Sequence, residues 1–227
     1  MNSPKPCCKT SVGKKQIVAT TGLLLILFII GHLAGNFFIY GGPKAFNSYA
    51  EKLASFRPAL YFIEFGLLII FLIHMFVTAQ LVLENIKARG GRYSMQKDKG
   101  ARTWASKIMP YTGTIIVAFL VYHLIDFTFS DHNGPRSILN DGRSYGLYGV
   151  VYNSFKDPFH STLYILAIFS LGFHLSHGVQ SFMQTFGFNN AKNFSIVKKI
   201  SEWFAVLITI SYCSIPFYIM LLDRISY

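Results

Sequence analysis

The chain has 227 residues, of which 52% are hydrophobic and 16% aromatic, while charged side chains make up 14%. A soluble domain carries roughly a quarter charged residues, so this depletion, with a mean hydropathy of +0.40, predicts an all-α polytopic membrane protein and excludes an ordinary soluble globule. The net charge of +11 would suit a nucleic-acid binder, but the basic residues fall between apolar runs instead of forming one face, so no nucleic-acid partner is expected. The three cysteines, Cys7, Cys8 and Cys213, lack metal-ligand spacing and form no disulfide framework.

A helix needs about 20 mostly apolar residues to cross a bilayer. Five stretches reach that length, at about 16–40, 59–84, 111–130, 158–183 and 203–222, and together they predict one five-helix domain over residues 1–227. Pro58, Pro110 and Pro158 each stand at the start of a stretch, where a missing N–H leaves no hydrogen bond unmade. Lys14 and Lys15 precede the first run as they would in a signal peptide. That run exceeds the ~7–15 residues of a signal h-region and no A-x-A site follows, so the segment is expected to be a retained signal-anchor helix.

Orientation follows from Lys and Arg in short loops. The N-terminal tail carries Lys5, Lys9, Lys14 and Lys15; the second loop carries Lys87, Arg89, Arg92, Lys97, Lys99, Arg102 and Lys107; the fourth carries Lys192, Lys198 and Lys199. The first loop balances Lys44, Lys52 and Arg57 with Glu51, and the third sets Arg136, Arg143 and Lys156 against Asp131, Asp141 and Asp157. The N-terminus is therefore expected to be cytoplasmic and, with five spans, the C-terminus outside.

Each of the first four spans carries a histidine in its apolar run: His32, His74, His123 and His174. An ionisable residue at that depth is a functional-site candidate. His32 lies roughly 12 Å and His123 roughly 10 Å from the outer surface, whereas His74 and His174 lie roughly 22 and 24 Å down, at 1.5 Å per helical residue. The depths sort into an outer pair, His32/His123, and an inner pair, His74/His174. Two imidazoles from two helices are the axial ligand set of a low-spin haem, and bundles hold such groups between facing helices. Gly31 and Gly35 beside His32, Gly172 and Gly178 beside His174, and Gly66 two turns before His74 are the candidates to make room for the flat ring. A rival from another class is a haem-free transporter, in which buried histidines relay protons with Glu64 and Asp126.

The residues around these histidines resemble a known family. HLAGNFFIYGGPKAFNSYAEKL from His32, LIHMFVTAQ around His74, MPYTG and VYHLIDF before and around His123, and GFHLSHGVQSF around His174 are similar, in order, to the single-chain, five-helix, di-haem cytochrome b membrane subunits of succinate:quinone oxidoreductases. The similarity runs from about Lys14 to Leu222. It implies two haems b, with the axial ligands mapping onto His32, His74, His123 and His174, and a place in a bacterial cytoplasmic membrane. It also implies a quinone substrate, commonly menaquinone, together with flavoprotein and iron–sulfur partner subunits. A higher oligomer of the complex is compatible with it. FAD and Fe–S clusters belong on the partners, because this chain has no dinucleotide fingerprint and no cysteine-rich cluster motif. Within the same class, the alternative is a cytochrome b subunit of another respiratory dehydrogenase, such as a hydrogenase.

The resemblance puts the quinone near the outer haem or, alternatively, near the iron–sulfur subunit. Glu51, Asp126 and His160 are the candidates for handling its protons, and Asp126 shares a helix face with His123 three positions earlier. His177 competes with His174 for the inner iron. The family's H-x-S-x-G pattern places the ligand at His174, followed by Ser176 and Gly178, and leaves His177 for a propionate or the iron–sulfur subunit. The segments Lys87–Lys107 and Gly187–Lys199 are expected to dock the soluble subunits, with Lys97, Lys99 and Arg102 central to that surface.

Overall fold

Inside a bilayer no water satisfies backbone N–H and C=O groups, so apolar runs must pair them internally and become helices. The computed structural model describes residues 10–88, 104–188, 190 and 192–225, with the backbone alone at 104–106. Its helices are α1 Ser11–Asn36, α2 Gly42–Ala54, α3 Ala59–Ala88, α4 Trp104–His123, α5 Gly146–Phe155, α6 Pro158–Thr185 and α7 Phe194–Ile225. Five segments, one each around α1, α3, α4, α6 and α7, are long and apolar enough to cross a membrane. Large apolar side chains such as Leu27, Phe62, Phe76, Ile125 and Leu207 stand exposed on them, as lipid contact requires. Cys7, Cys8, Lys5, Lys9, Lys97, Lys99 and Arg102 lie outside the described residues.

Several element bounds differ from those the apolar runs suggest. The α-helical part of the first span ends at Asn36, followed by a 3₁₀ turn over Phe37–Gly41, and Gly42 turns the chain at φ +77°. The stretch beyond, expected to be a loop, is α2. It packs back on α1, with Phe38 and Tyr49 stacked at 4.6 Å. Gly35 is needed for this, because a Cβ there would lie 2.6 Å from the Tyr49 hydroxyl. Pro110 sits inside α4 instead of at its start. α7 begins at Phe194, nine residues before the apolar run suggests. An interlocked turn starts it: Asn190 Oδ1 accepts the amides of Lys192 and Asn193 at 2.9 and 3.1 Å, and Asn193 Oδ1 accepts that of Asn190 at 2.7 Å. Lys198 and Lys199 therefore ride on the first turns of a helix. Pro158 does open α6, behind Asp157, whose carboxylate accepts the amides of Phe159 and His160 at 3.3 and 3.2 Å, an N-cap followed by proline at the first helical position.

The helices sort into two compact units. The first comprises Met1–Phe28, Glu64–Gly113 and Phe173–Ala205. Here Lys14 of α1 pairs with Glu84 of α3. The second comprises Ile29–Ile63, Thr114–Gly172 and Val206–Tyr227. Its core gathers Ile39, Phe46, Tyr148, Phe155, Tyr164, Ile215 and Ile219. Asn47 joins α2 to α5, donating to the Tyr145 carbonyl at 2.8 Å and accepting the Tyr148 amide at 3.0 Å.

Candidate functional site: two histidine pairs and a buried carboxylate

In the first unit, α3 carries His74 and α6 carries His174. Each is met by a threonine followed by a glycine from another helix. Thr21 Oγ1 of α1 lies 3.0 Å from His74 Nδ1, and a Cβ on Gly22 would sit 3.3 Å from His74 Cε1. Thr112 Oγ1 of α4 lies 3.2 Å from His174 Nδ1, and a Cβ on Gly113 would sit 3.6 Å from His174 Cε1. The threonine contacts of both rings fall on Nδ1, and the Val18 backbone of α1 also hydrogen-bonds the His74 ring. His177, one turn on, keeps a buried Nδ1 without a hydrogen-bond partner.

In the second unit, the rings of His32 and His123 face each other at 5.8 Å between centroids with planes 88° apart. Two imidazoles bonded at about 2 Å to one metal would stand at a similar, slightly larger centroid separation, so the residue types and their spacing suit a shared metal. Directly after His123 the helix widens into a π turn over Leu124–Thr128, closed by the Phe129 amide on the Leu124 carbonyl at 2.9 Å. Such turns recur at functional sites. This one carries Asp126, which is 8% exposed and met by three side chains. Tyr164 donates to Oδ2 at 2.8 Å, Arg136 donates to Oδ1 at 2.6 Å and to the Asp126 carbonyl at 3.1 Å, and Ser154 anchors the same guanidinium. His160 Nε2 lies 3.1 Å from Oδ2, without hydrogen-bond alignment. The cluster reaches outward and inward: the Tyr122 hydroxyl bonds His160 Nδ1 at 2.9 Å, and the Tyr164 hydroxyl lies 3.5 Å from His123 Nδ1.

The structure thus brings Asp126 and His160 together, while Glu51 stands exposed on α2 with no side-chain contact to them among the described residues. Two of the glycines expected to make room for a flat ring serve helix packing instead. Gly35 receives Tyr49, and Gly172 receives Thr209, whose Oγ1 would lie 2.2 Å from an added Cβ. Gly31, Gly66 and Gly178 face open space. The glycines beside the imidazoles are Gly22 and Gly113, and with Thr21, Thr112, Tyr122, Arg136 and Tyr164 they escaped the sequence reading. The Thr-Gly pairs were visible as the repeated dipeptides Thr21-Gly22 and Thr112-Gly113, but only the packing links each to a histidine.

A family model described as the transmembrane subunit of succinate dehydrogenase/fumarate reductase matches residues 85–212. The chain belongs to this family. The matched residues of this succinate dehydrogenase/fumarate reductase transmembrane subunit contain His123, Asp126, Arg136, His160, Tyr164 and His174, whereas His32 and His74 precede them. The chain is also similar to the succinate dehydrogenase cytochrome b558 subunit of Bacillus subtilis (strain 168), with 28% identity over 161 residues, 71% of this chain and 72% of the relative. No solved structure matches it.

Proposed function

We propose that this membrane subunit holds two haems b, one between His32 and His123 and one between His74 and His174, and passes electrons between an iron–sulfur subunit and menaquinone. The observation that carries the proposal is the pairing. His32 and His123 stand 5.8 Å apart between ring centroids, and His74 and His174 share a unit with both Nδ1 atoms engaged by a threonine. Neutral imidazole nitrogens of this kind are what haem iron takes as axial ligands. When bound, each haem supplies a one-electron centre. The name of the B. subtilis relative, a cytochrome b, is in keeping with this.

Quinone chemistry also moves protons, and the second unit offers a route for them. Tyr122, 39% exposed, leads through His160 to the buried Asp126, whose charge Arg136 compensates. We place quinone protonation at this cluster, with Asp126 and His160 as its proton-handling pair and Glu51 outside it. By its loop charges the chain has a cytoplasmic N-terminus and an outside C-terminus, with the cluster and the His32/His123 pair on the outer side. The flavoprotein and iron–sulfur subunits dock on the cytoplasmic face, where basic residues concentrate.

The test is a reduced-minus-oxidised absorption spectrum with haem quantification on the purified complex. Two haems per chain are expected. His174→Ala should lose one and His177→Ala should retain both. One haem in the parent protein, or loss on His177→Ala with retention on His174→Ala, overturns the ligand assignment.

A further inference from the structure

Thr21 and Thr112 lie on different helices yet stand in the same relation to an imidazole, each buried, each with its oxygen on an Nδ1, and each followed by a glycine that lets the ring approach. A threonine hydroxyl has one proton. Thr21 donates its proton to the Ile17 carbonyl at 2.7 Å, and Thr112 donates to the Met109 carbonyl at 3.1 Å. When that proton is on the backbone, each oxygen accepts from the ring. Nδ1 must then carry the hydrogen, and the lone pair of a neutral histidine falls on Nε2. Partners that engage the far nitrogen of a ligating histidine fix its tautomer and orientation and raise its basicity.

We propose that Thr21 and Thr112 are positioning residues for His74 and His174, holding both rings as Nδ1–H tautomers so that Nε2 is the iron-binding atom. This rests on the ligand assignment above. The other pair is held differently. His123 Nδ1 faces the phenol of Tyr164, which gives its proton to Asp126.

The experiment uses the complete membrane complex carrying Thr21→Val, Thr112→Val, Thr21→Ser or Thr112→Ser, with His174→Ala as reference. Haem content, the midpoint potential of each haem by redox titration, and haem release to excess apomyoglobin are measured. The valine variants should keep both haems, raise the potential of one because its ligand becomes less basic, and release that haem about 10-fold faster. The other haem should not change, and the serine variants should match the parent. Valine variants with parental potential and release, while His174→Ala still loses a haem, overturn the role of the threonines alone. A His174→Ala complex that keeps both haems overturns the ligand assignment and this proposal with it. If the valine variants fail to accumulate, the Ser and Ala variants at the same positions give the same contrast, and Ser behaving as Ala overturns the proposal.

Discussion

The two units hold the same kind of side-chain pair in opposite electrostatic settings. In the first, His74 and His174 rest on neutral hydroxyls that also contact backbone carbonyls. In the second, His123 is one phenol away from a carboxylate, a guanidinium and a third imidazole. A charge brought out of water must be paired and hydrogen-bonded to persist, and the second unit builds α5, the loop before it and the start of α6 around Asp126 to do so. Similar histidine pairs can thus sit in a neutral setting or in a charged one, and the difference lies in neighbours one contact removed.

The sharpest way to break this comparison is at Asp126. Asp126→Asn removes the negative charge and leaves the shape, so quinone turnover of the complex should fall by about 10²-fold, within the usual range for a proton-transfer group. Haem content should stay at the parental value. Full turnover in the steady-state quinone assay would mean that the cluster is a structural ion pair only. The contrasting change in the first unit, Thr112→Val, should leave turnover within a few-fold of the parent, because it removes only a neutral hydroxyl.

Glycines sharpen the same contrast at the level of packing. Gly172 lies against Thr209 so closely that Gly172→Ala puts its Cβ 2.2 Å from the hydroxyl. Overpacking of this kind typically destabilises by about 1–3 kcal/mol. The thermal midpoint of the purified complex should drop, and the double variant with Thr209→Ala should recover it. Gly113→Ala meets His174 at an ordinary 3.6 Å, so the thermal midpoint should hold and any change should appear in the spectrum of one haem.

The smallest effect is expected at the solvent edge of the second unit. Tyr145 donates to Asp141 Oδ2 at 2.7 Å and the Arg143 amide donates to Oδ1 at 3.0 Å. These hydrogen bonds, that of Tyr145 foremost, hold the Asp141 carboxyl below its ordinary range. A lowered folded-state pKa means that the pair contributes above the ordinary carboxylate pKa of ~3.9 and that the contribution is lost as pH falls through the lowered value. Amide exchange at 142–145, corrected for intrinsic rates, should show protection surviving into mild acid in the parent and failing at higher pH in Tyr145→Phe. Identical profiles would remove this hydrogen bond from the account of the turn.

The number of spans and the helix that carries each histidine were legible in the sequence because both depend on local quantities. Apolar run length fixes where a helix can cross a bilayer, and counting residues at 1.5 Å each gives depth along it. The short helices α2 and α5 were not legible, since segments such as GPKAFNSYAEKLA are too polar and too brief to span, and their helicity depends on what they pack against. Pro110 inside α4 and the early start of α7 escaped for a related reason: hydropathy reports the apolar part of a helix and is blind to its polar ends. The surroundings of the histidines were decided by tertiary structure alone. Thr21 and His74 are 53 residues apart, Thr112 and His174 are 62 apart, and Tyr164 reaches Asp126 across 38. Which residue of one helix meets which residue of another depends on the rotation of each helix about its axis and on its offset along that axis. Only the packing of the folded chain sets those two quantities.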